Sequence, residues 1–151
     1  KRWPSLLNRP ESFVLIYRSD PGERVELLRE GVPAIFLLWI SEHMAIPRDR
    51  LYSTIGLARA TVNRKVREHQ TLNLDESERV LGIARLVGQA QAMVRESGDD
   101  PEFDAAKWMA NWLEAPHPAL GGKRPAGLMD TAEGRAIVSD LLGQMQSGAY
   151  A

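Results

Sequence analysis

Apolar residues recur along this chain at helical spacing in block after block, and proline, glycine and short polar turns divide the blocks. From Glu23 onward, Val25, Leu27 and Leu28 set a helical pattern that Gly31 stops, and Pro33 opens the next helix at its first turn. That second helix, predicted over 33–44, is apolar almost all round between Ala34 and Ile40, so it belongs in the core. Pro47 opens a short helix over 47–55 with Leu51 and Ile55 on one side, Gly56 supplies a turn, and a further helix runs from about Ala58 to His69. Asn73 or Asp75 caps a long helix over 75–96, with Glu76 or Glu78 as the returning half of a capping box. Its apolar stripe is Val80, Ile83, Ala84, Val87, Ala90 and Val94, opposed by Arg85, Gln89 and Arg95.

Ser97-Gly98-Asp99-Asp100-Pro101 stops that helix and starts another, with Asp100 as cap and Pro101 at the first helical position, ending near Leu113. Trp108 and Trp112 lie four apart, as do Met109 and Leu113, and the spacing reads as core. The last helix begins at Asp130 or Thr131, where Asp130 and Glu133 suit a capping box, and buries Ile137, Val138, Leu141, Leu142 and Met145. Ahead of Glu23, residues 1–22 form a proline-containing arm whose run Phe13-Val14-Leu15-Ile16-Tyr17 reads as strand-like or irregular. The expected fold is all-α, divided into the arm 1–22, a helix-turn-helix region 23–74 and a C-terminal helical domain 75–151 packed with it.

Of the 151 residues, 44% are apolar and 26% charged, the balance of a soluble globular chain. No apolar run approaches the ~18 residues of a membrane span, so no membrane partner is expected. The absence of cysteine excludes disulfides, thiol catalysis and cysteine-ligated zinc, and the cytoplasm is the expected compartment. Charge is unevenly placed: residues 1–70 hold 12 Lys/Arg against 8 Asp/Glu, residues 71–151 hold 7 against 12. Such asymmetry fits one nucleic-acid-facing half and one half with a different partner.

Residues 47–69 have the length and punctuation of a helix-turn-helix, whose second helix enters the major groove. That helix offers Arg59, Thr61, Asn63, Arg64, Lys65 and Arg67, with only Glu68 opposing them. Arg pairs with guanine, Asn with adenine, and Lys or Thr holds phosphates, although the same residues also suit an ordinary solvated basic face. Ala58 stands at the expected N-cap, where its lack of a side-chain acceptor costs roughly 1 kcal/mol. Catalysis is not expected. His43, His69 and His117 are isolated from any metal-ligand pattern, and Gly121-Gly122-Lys123-Arg124 lacks the order of a phosphate-binding loop. No metal or cofactor is called for.

The most informative stretch is Trp112-Leu113-Glu114-Ala115-Pro116-His117-Pro118-Ala119-Leu120-Gly121-Gly122-Lys123-Arg124-Pro125, followed by Leu128-Met129-Asp130-Thr131-Ala132-Glu133-Gly134. It joins an aromatic helix end to a proline-stiffened loop, a glycine pair and a new helix, a design for holding a loop in one shape. Over residues 108–148, the elements Trp112-Leu113, Pro116-x-Pro118-Ala119-Leu120-Gly121-Gly122, Pro125, Leu128-Met129-Asp130-Thr131 and Gly134, with Val138, Leu142 and Gly148, resemble the C-terminal toxin-binding domain of the Xre/MbcA/ParS antitoxin family. Gly56-Leu57-Ala58-Arg59-Ala60-Thr61-Val62-Asn63-Arg64 and Leu74-Asp75-Glu76-Ser77-Glu78-Arg79 resemble the Cro/Xre-like helix-turn-helix half of the same proteins.

The resemblance implies an antitoxin of a type II toxin–antitoxin system that binds its operator through the N-terminal half and blocks a cognate toxin through the C-terminal half. It further implies a RES-domain toxin that depletes NAD, a homodimer within a larger complex, and repression of the antitoxin's own operon. The residues expected at the toxin are Trp112, Pro118, Leu120, Gly121, Gly122, Lys123 and Arg124, together with Tyr150 and Ala151 of the tail. A NAD-consuming toxin needs a cationic pocket for pyrophosphate, which would attract the acidic 71–151 half. In that pocket Tyr150 would stack and the Ala151 carboxylate would meet an arginine. The competing readings are a helix-turn-helix regulator without a toxin and a helical adaptor. The stripe of the 75–96 helix is either a dimer interface or part of the monomer core.

Overall fold

Polar caps and left-handed turn residues cut the chain into α1 (Ser12–Arg18), α2 (Pro21–Glu30), α3 (Phe36–Met44), α4 (Arg48–Ile55), α5 (Arg59–Arg67), α6 (Leu74–Glu96), α7 (Ala105–Glu114) and α8 (Ala132–Ser147). The computed structural model describes residues 2–7 and 9–147. Asn73 starts α6 with a complete capping box: its Oδ1 accepts from the Glu76 amide and Glu76 Oε1 accepts from the Asn73 amide, both at 2.8 Å. Asp20 caps α2 by accepting from the Glu23 amide at 2.8 Å, a bond that also lowers the carboxyl's pKa. Gly56 ends α4 at φ +79°, and Ala45 ends α3 at φ +57°.

The long helix α6 is the centre of the molecule. Val80, Ile83, Ala84, Val87 and Ala90 of the expected stripe are buried on it, and so are Glu76, Ser77, Leu81, Leu86 and Gln89. A helix buried on so many sides must have neighbours all round, and α1, α2, α4, α7 and α8 each pack against it. Gln89, expected on the polar face, is buried instead: its amide donates to the Ser139 carbonyl at 3.0 Å and its Oε1 accepts from Ser139 Oγ at 2.8 Å. Full pairing is what makes such burial tolerable. The stripe from Val80 to Ala90 is thus consumed within the monomer, while Val94 is only half-buried.

Residues 13–17 correct the strand reading, because they form α1, with Phe13, Val14 and Ile16 buried and Leu15 exposed. Their β-branched and aromatic content favours a strand, but tertiary packing overrides it. Gly88 permits that packing: a Cβ there would stand 2.1 Å from the Phe13 carbonyl oxygen, so α1 and α6 meet backbone to backbone. Trp3 is buried too, donating from Nε1 to the Leu27 carbonyl at 3.0 Å and lying 5.6 Å from the Phe36 ring. Trp3, Phe13, Val14 and Ile16 of this N-terminal segment therefore belong to the core.

Three other expectations shift. Asp104, and neither Asp100 nor Pro101, caps α7, accepting from the Lys107 amide at 3.1 Å. At α8, Thr131 Oγ1 accepts from the Gly134 amide at 2.9 Å, which makes Thr131 the cap in place of an Asp130–Glu133 box. Ile137 is exposed while Val138, Leu141 and Leu142 are buried, since successive helix positions point about 100° apart and Ile137 falls at the edge of the buried face. On α7, Met109 and Leu113 are buried, whereas Trp108 and Trp112 are only half-buried and stack on each other at 5.7 Å. Residues 31–34 and 70–72 pair briefly: Ala34 donates to Gln70 at 3.0 Å and Leu72 to Val32 at 2.7 Å.

Replacing Gly88 by alanine is expected to cost about 1–3 kcal/mol by overpacking the α1–α6 contact. A lower denaturation midpoint at unchanged slope would show it, and an unchanged midpoint would contradict the close approach.

Candidate functional site

Two surfaces concern function, and the first is α4, the Gly56 turn and α5. Leu51, Tyr52, Ile55, Val62 and Val66 bury the inner faces of the two helices. Ala58 makes no side-chain cap to α5, as expected, while Asp49 of α4 meets Arg59 at 3.2 Å across the turn. Arg59, Thr61, Arg64 and Arg67 are exposed on the outer face. Arg64 also pairs with Glu68 at 3.6 Å, a link weak enough on the surface to yield to a phosphate.

The other two residues of the expected DNA set are engaged inward. Lys65 Nζ meets Glu76 Oε1 at 2.6 Å, with only 15% and 10% of the side chains exposed. It fastens α5 to the capping box of α6, and this explains its place on a basic helix without any ligand. Asn63 accepts from the Tyr52 hydroxyl at 3.1 Å and is half-buried. Burial of Tyr52 raises its phenol pKa, so that hydroxyl stays a donor at neutral pH. The spacing of α5 could not distinguish these two from their exposed neighbours, since their partners lie 11 residues away in each case.

The second surface is the loop after α7. His117 closes it: its amide donates to the Lys123 carbonyl, and its carbonyl accepts from Leu120 and Gly122, each at 3.0 Å. Pro118–Leu120 form a 3-10 turn, after which Gly121 and Gly122 take φ +65° and +82°. Nothing stands near the positions of their absent Cβ atoms, so backbone angle alone explains glycine here. Gly134 has the opposite reason: its Cβ would lie 1.8 Å from the Leu128 carbonyl oxygen, where the 3-10 turn Pro125–Leu128 rests on α8. Trp112 and Leu120 are half-buried, and Pro118, Gly121, Gly122, Lys123 and Arg124 face solvent. Trp112 continues edge-on to the His117 ring at 6.1 Å. The tail residues Tyr150 and Ala151 lie outside the described residues.

Contacts that the sequence did not assign join the two surfaces. Glu114 Oε1 accepts from Arg124 of the loop at 2.6 Å and lies 3.4 Å from Arg50 of α4. Arg79 of α6 donates from one Nη to the carbonyl of Ile55, at the end of α4, at 3.0 Å, and to that of Asp130, just before α8, at 2.7 Å. Gly56 leaves room for it, because a Cβ there would meet that nitrogen at 2.4 Å. Among the described residues no group of acidic or histidine side chains is placed to hold a metal ion. Among the described residues no helix is long and apolar enough to cross a membrane.

The architecture is thus that of an all-α protein with a helix-turn-helix and a second helical domain presenting a laced loop. Residues 23–85 match the antitoxin Xre-like helix-turn-helix domain, and residues 89–148 match the antitoxin Xre/MbcA/ParS C-terminal toxin-binding domain. A Prs ADP-ribosylating antitoxin of Sphingobium sp. (strain YBL2) is 43% identical over 142 residues, covering 94% of this chain and 89% of the relative. An antitoxin Xre of Yersinia enterocolitica is 30% identical over 114 residues, 75% of this chain and 68% of its own. The chain belongs to the Xre/MbcA/ParS antitoxin family, and it is an antitoxin of a toxin–antitoxin system with a helix-turn-helix DNA-binding domain.

Lys65→Ala is expected to lower stability by about 1–3 kcal/mol, because it strips a mostly buried carboxylate of its cation while leaving it the Asn73 amide. Arg67→Ala, on the exposed face, should leave the melting curve within about 0.5 kcal/mol of the parent. Equal melting of the two variants would contradict the inward role of Lys65.

Proposed function

We propose that this antitoxin neutralises a RES-domain toxin that consumes NAD, and represses its own operon as a homodimer through α5. The observation that carries the toxin side is the loop 117–123, closed on itself by His117 and facing solvent. A loop already held in one conformation loses little entropy when it docks. Trp112, Pro118, Leu120, Gly121, Gly122, Lys123 and Arg124 form its contact surface, and the tail Tyr150-Ala151 enters the toxin's nucleotide cleft. NAD consumption is supported by the Sphingobium relative, whose name refers to ADP-ribosylation of Prs. Transfer of ADP-ribose from NAD breaks the glycosidic bond to nicotinamide, so such a toxin spends NAD whether the acceptor is a protein or water.

On the DNA side, the exposed Arg59, Thr61, Arg64 and Arg67 make the contacts, with residues 23–74 as the DNA-facing part and 75–151 as the toxin-facing part. Asn63 and Lys65 support α5 from within. Two copies would place two recognition helices on half-sites about one helical turn apart.

Co-expression tests the toxin reading: the neighbouring gene product alone should collapse cellular NAD and growth, and this chain should restore both. Deleting Tyr150-Ala151 should abolish that rescue while leaving complex formation through the loop detectable. Full rescue by the truncated chain would refute the role of the tail. For DNA, log affinity for the operator should fall linearly with log salt, and Arg64→Ala or Arg67→Ala should each reduce that slope by about one. A slope that neither variant changes would take α5 out of the phosphate contacts.

A further inference from the structure

On the side of α6 turned away from α5, a groove of about 490 Å³ opens between α2, α6 and α8. Its position follows from helical geometry: Gly82, Arg85 and Gln89 line it, and at about 100° per residue they fall on the flank opposite Glu76, the residue that holds the recognition helix. The groove is separate from the DNA face. Three helices each send an arginine to it: Arg24 from α2, Arg85 from α6 and Arg135 from α8.

These arginines differ in how far their charge is answered. Arg135 lies across α6 in the space left by Gly82, whose Cβ would meet its Cδ at 2.6 Å. Its Nη1 donates to the Met129 carbonyl at 3.0 Å, and Glu78 draws on its charge. Arg24 donates to the Ser19 carbonyl and faces Asp20. Arg85 has neither a hydrogen-bond acceptor nor a carboxylate partner among the described residues. Arg85 is exposed along the groove; the partial burial of its guanidinium lowers the pKa, and the neighbouring Arg24 lowers it further. Two guanidinium groups that repel each other across a cleft are stabilised by an anion between them. Asp140 also lines the groove, on the α8 side.

We propose that this groove is a binding site for the phosphate group of a nucleotide-sized ligand, held between Arg24 and Arg85. A phosphate offers oxygens to planar forks arriving from two helices, whereas a carboxylate satisfies one fork in its own plane. The volume suits a ligand larger than the bare ion, and Tyr17 also lines the groove near Arg85. Occupancy would brace α2 and α8 against α6. The site stands independently of the identity of the toxin.

Titration calorimetry of the full chain with pyrophosphate, ADP-ribose and citrate tests it. Saturable binding of ADP-ribose, with weaker binding of pyrophosphate, is expected. Arg85→Gln should weaken it at least about tenfold, the equivalent of one lost charge-assisted interaction. Arg85→Lys, which keeps the charge and loses the fork, should fall between. Arg24→Gln should act in the same direction, and unchanged melting curves will show that the variants fold. No binding of either phosphate compound, equal binding of citrate, or binding undiminished in both glutamine variants would overturn the proposal.

Discussion

One constraint governs the rest of the molecule: α6 is buried on nearly every side, so no part of the chain can be placed without reference to it. Its 23 residues carry buried positions from Glu76 to Ala92, and α1, α2, α4, α7 and α8 all pack against it. The matches to the helix-turn-helix domain and the toxin-binding domain end and begin at residues 85 and 89, within this single helix. The two functional halves thus have no linker between them. Each uses a different length of the same rod, and a displacement of the rod reaches both.

The close approaches along α6 show how the packing was made possible. Glycine in the middle of a helix costs roughly 1 kcal/mol against alanine. Gly82 and Gly88 are nevertheless there, one under Arg135 and the other against the backbone of α1. In both places the missing Cβ exchanges local helix propensity for a tertiary contact. Gly56 does the same for Arg79, with the added demand of φ +79°. These glycines are therefore structural where a Cβ would strike a neighbour, while at Gly121 and Gly122, where it would meet nothing, the backbone angle of the exposed loop is what asks for glycine.

Helix boundaries from 47 to 96 were legible because caps, prolines and glycines agree there with the apolar period, whereas α3 begins at Phe36 and not at the expected Pro33, which bridges Thr71 instead. Asn73 with Glu76 is the clearest instance. The arm was misread because Phe13–Tyr17 shows no polar face from which a period can be taken. A run enclosed by neighbours lacks the alternation that separates strand from helix. The one hint lay far away, in Gly88. On the site, residue type identified the basic helix and the loop, yet it could not tell which cations face outward. Lys65 and Asn63 are set apart from Arg64 and Arg67 by partners on other helices, and that information belongs to the tertiary structure alone. Arg79 likewise gave no sign in the sequence that it would bind two distant carbonyls.

The links between the halves differ in strength, and the difference has a functional meaning. Arg50, Glu114 and Arg124 form a chain of ion pairs whose side chains are 47%, 29% and 56% exposed. Pairs of that kind contribute at most about 1 kcal/mol each, and a partner docking on the loop can replace them at little cost. Arg79 is different. It is 23% exposed and donates to two backbone carbonyls, so displacing it would leave the ends of α4 and of the segment before α8 unsatisfied. The loop can therefore exchange its surface pairs for those of a partner while the frame that carries it, and the recognition helix on the same frame, stay in place.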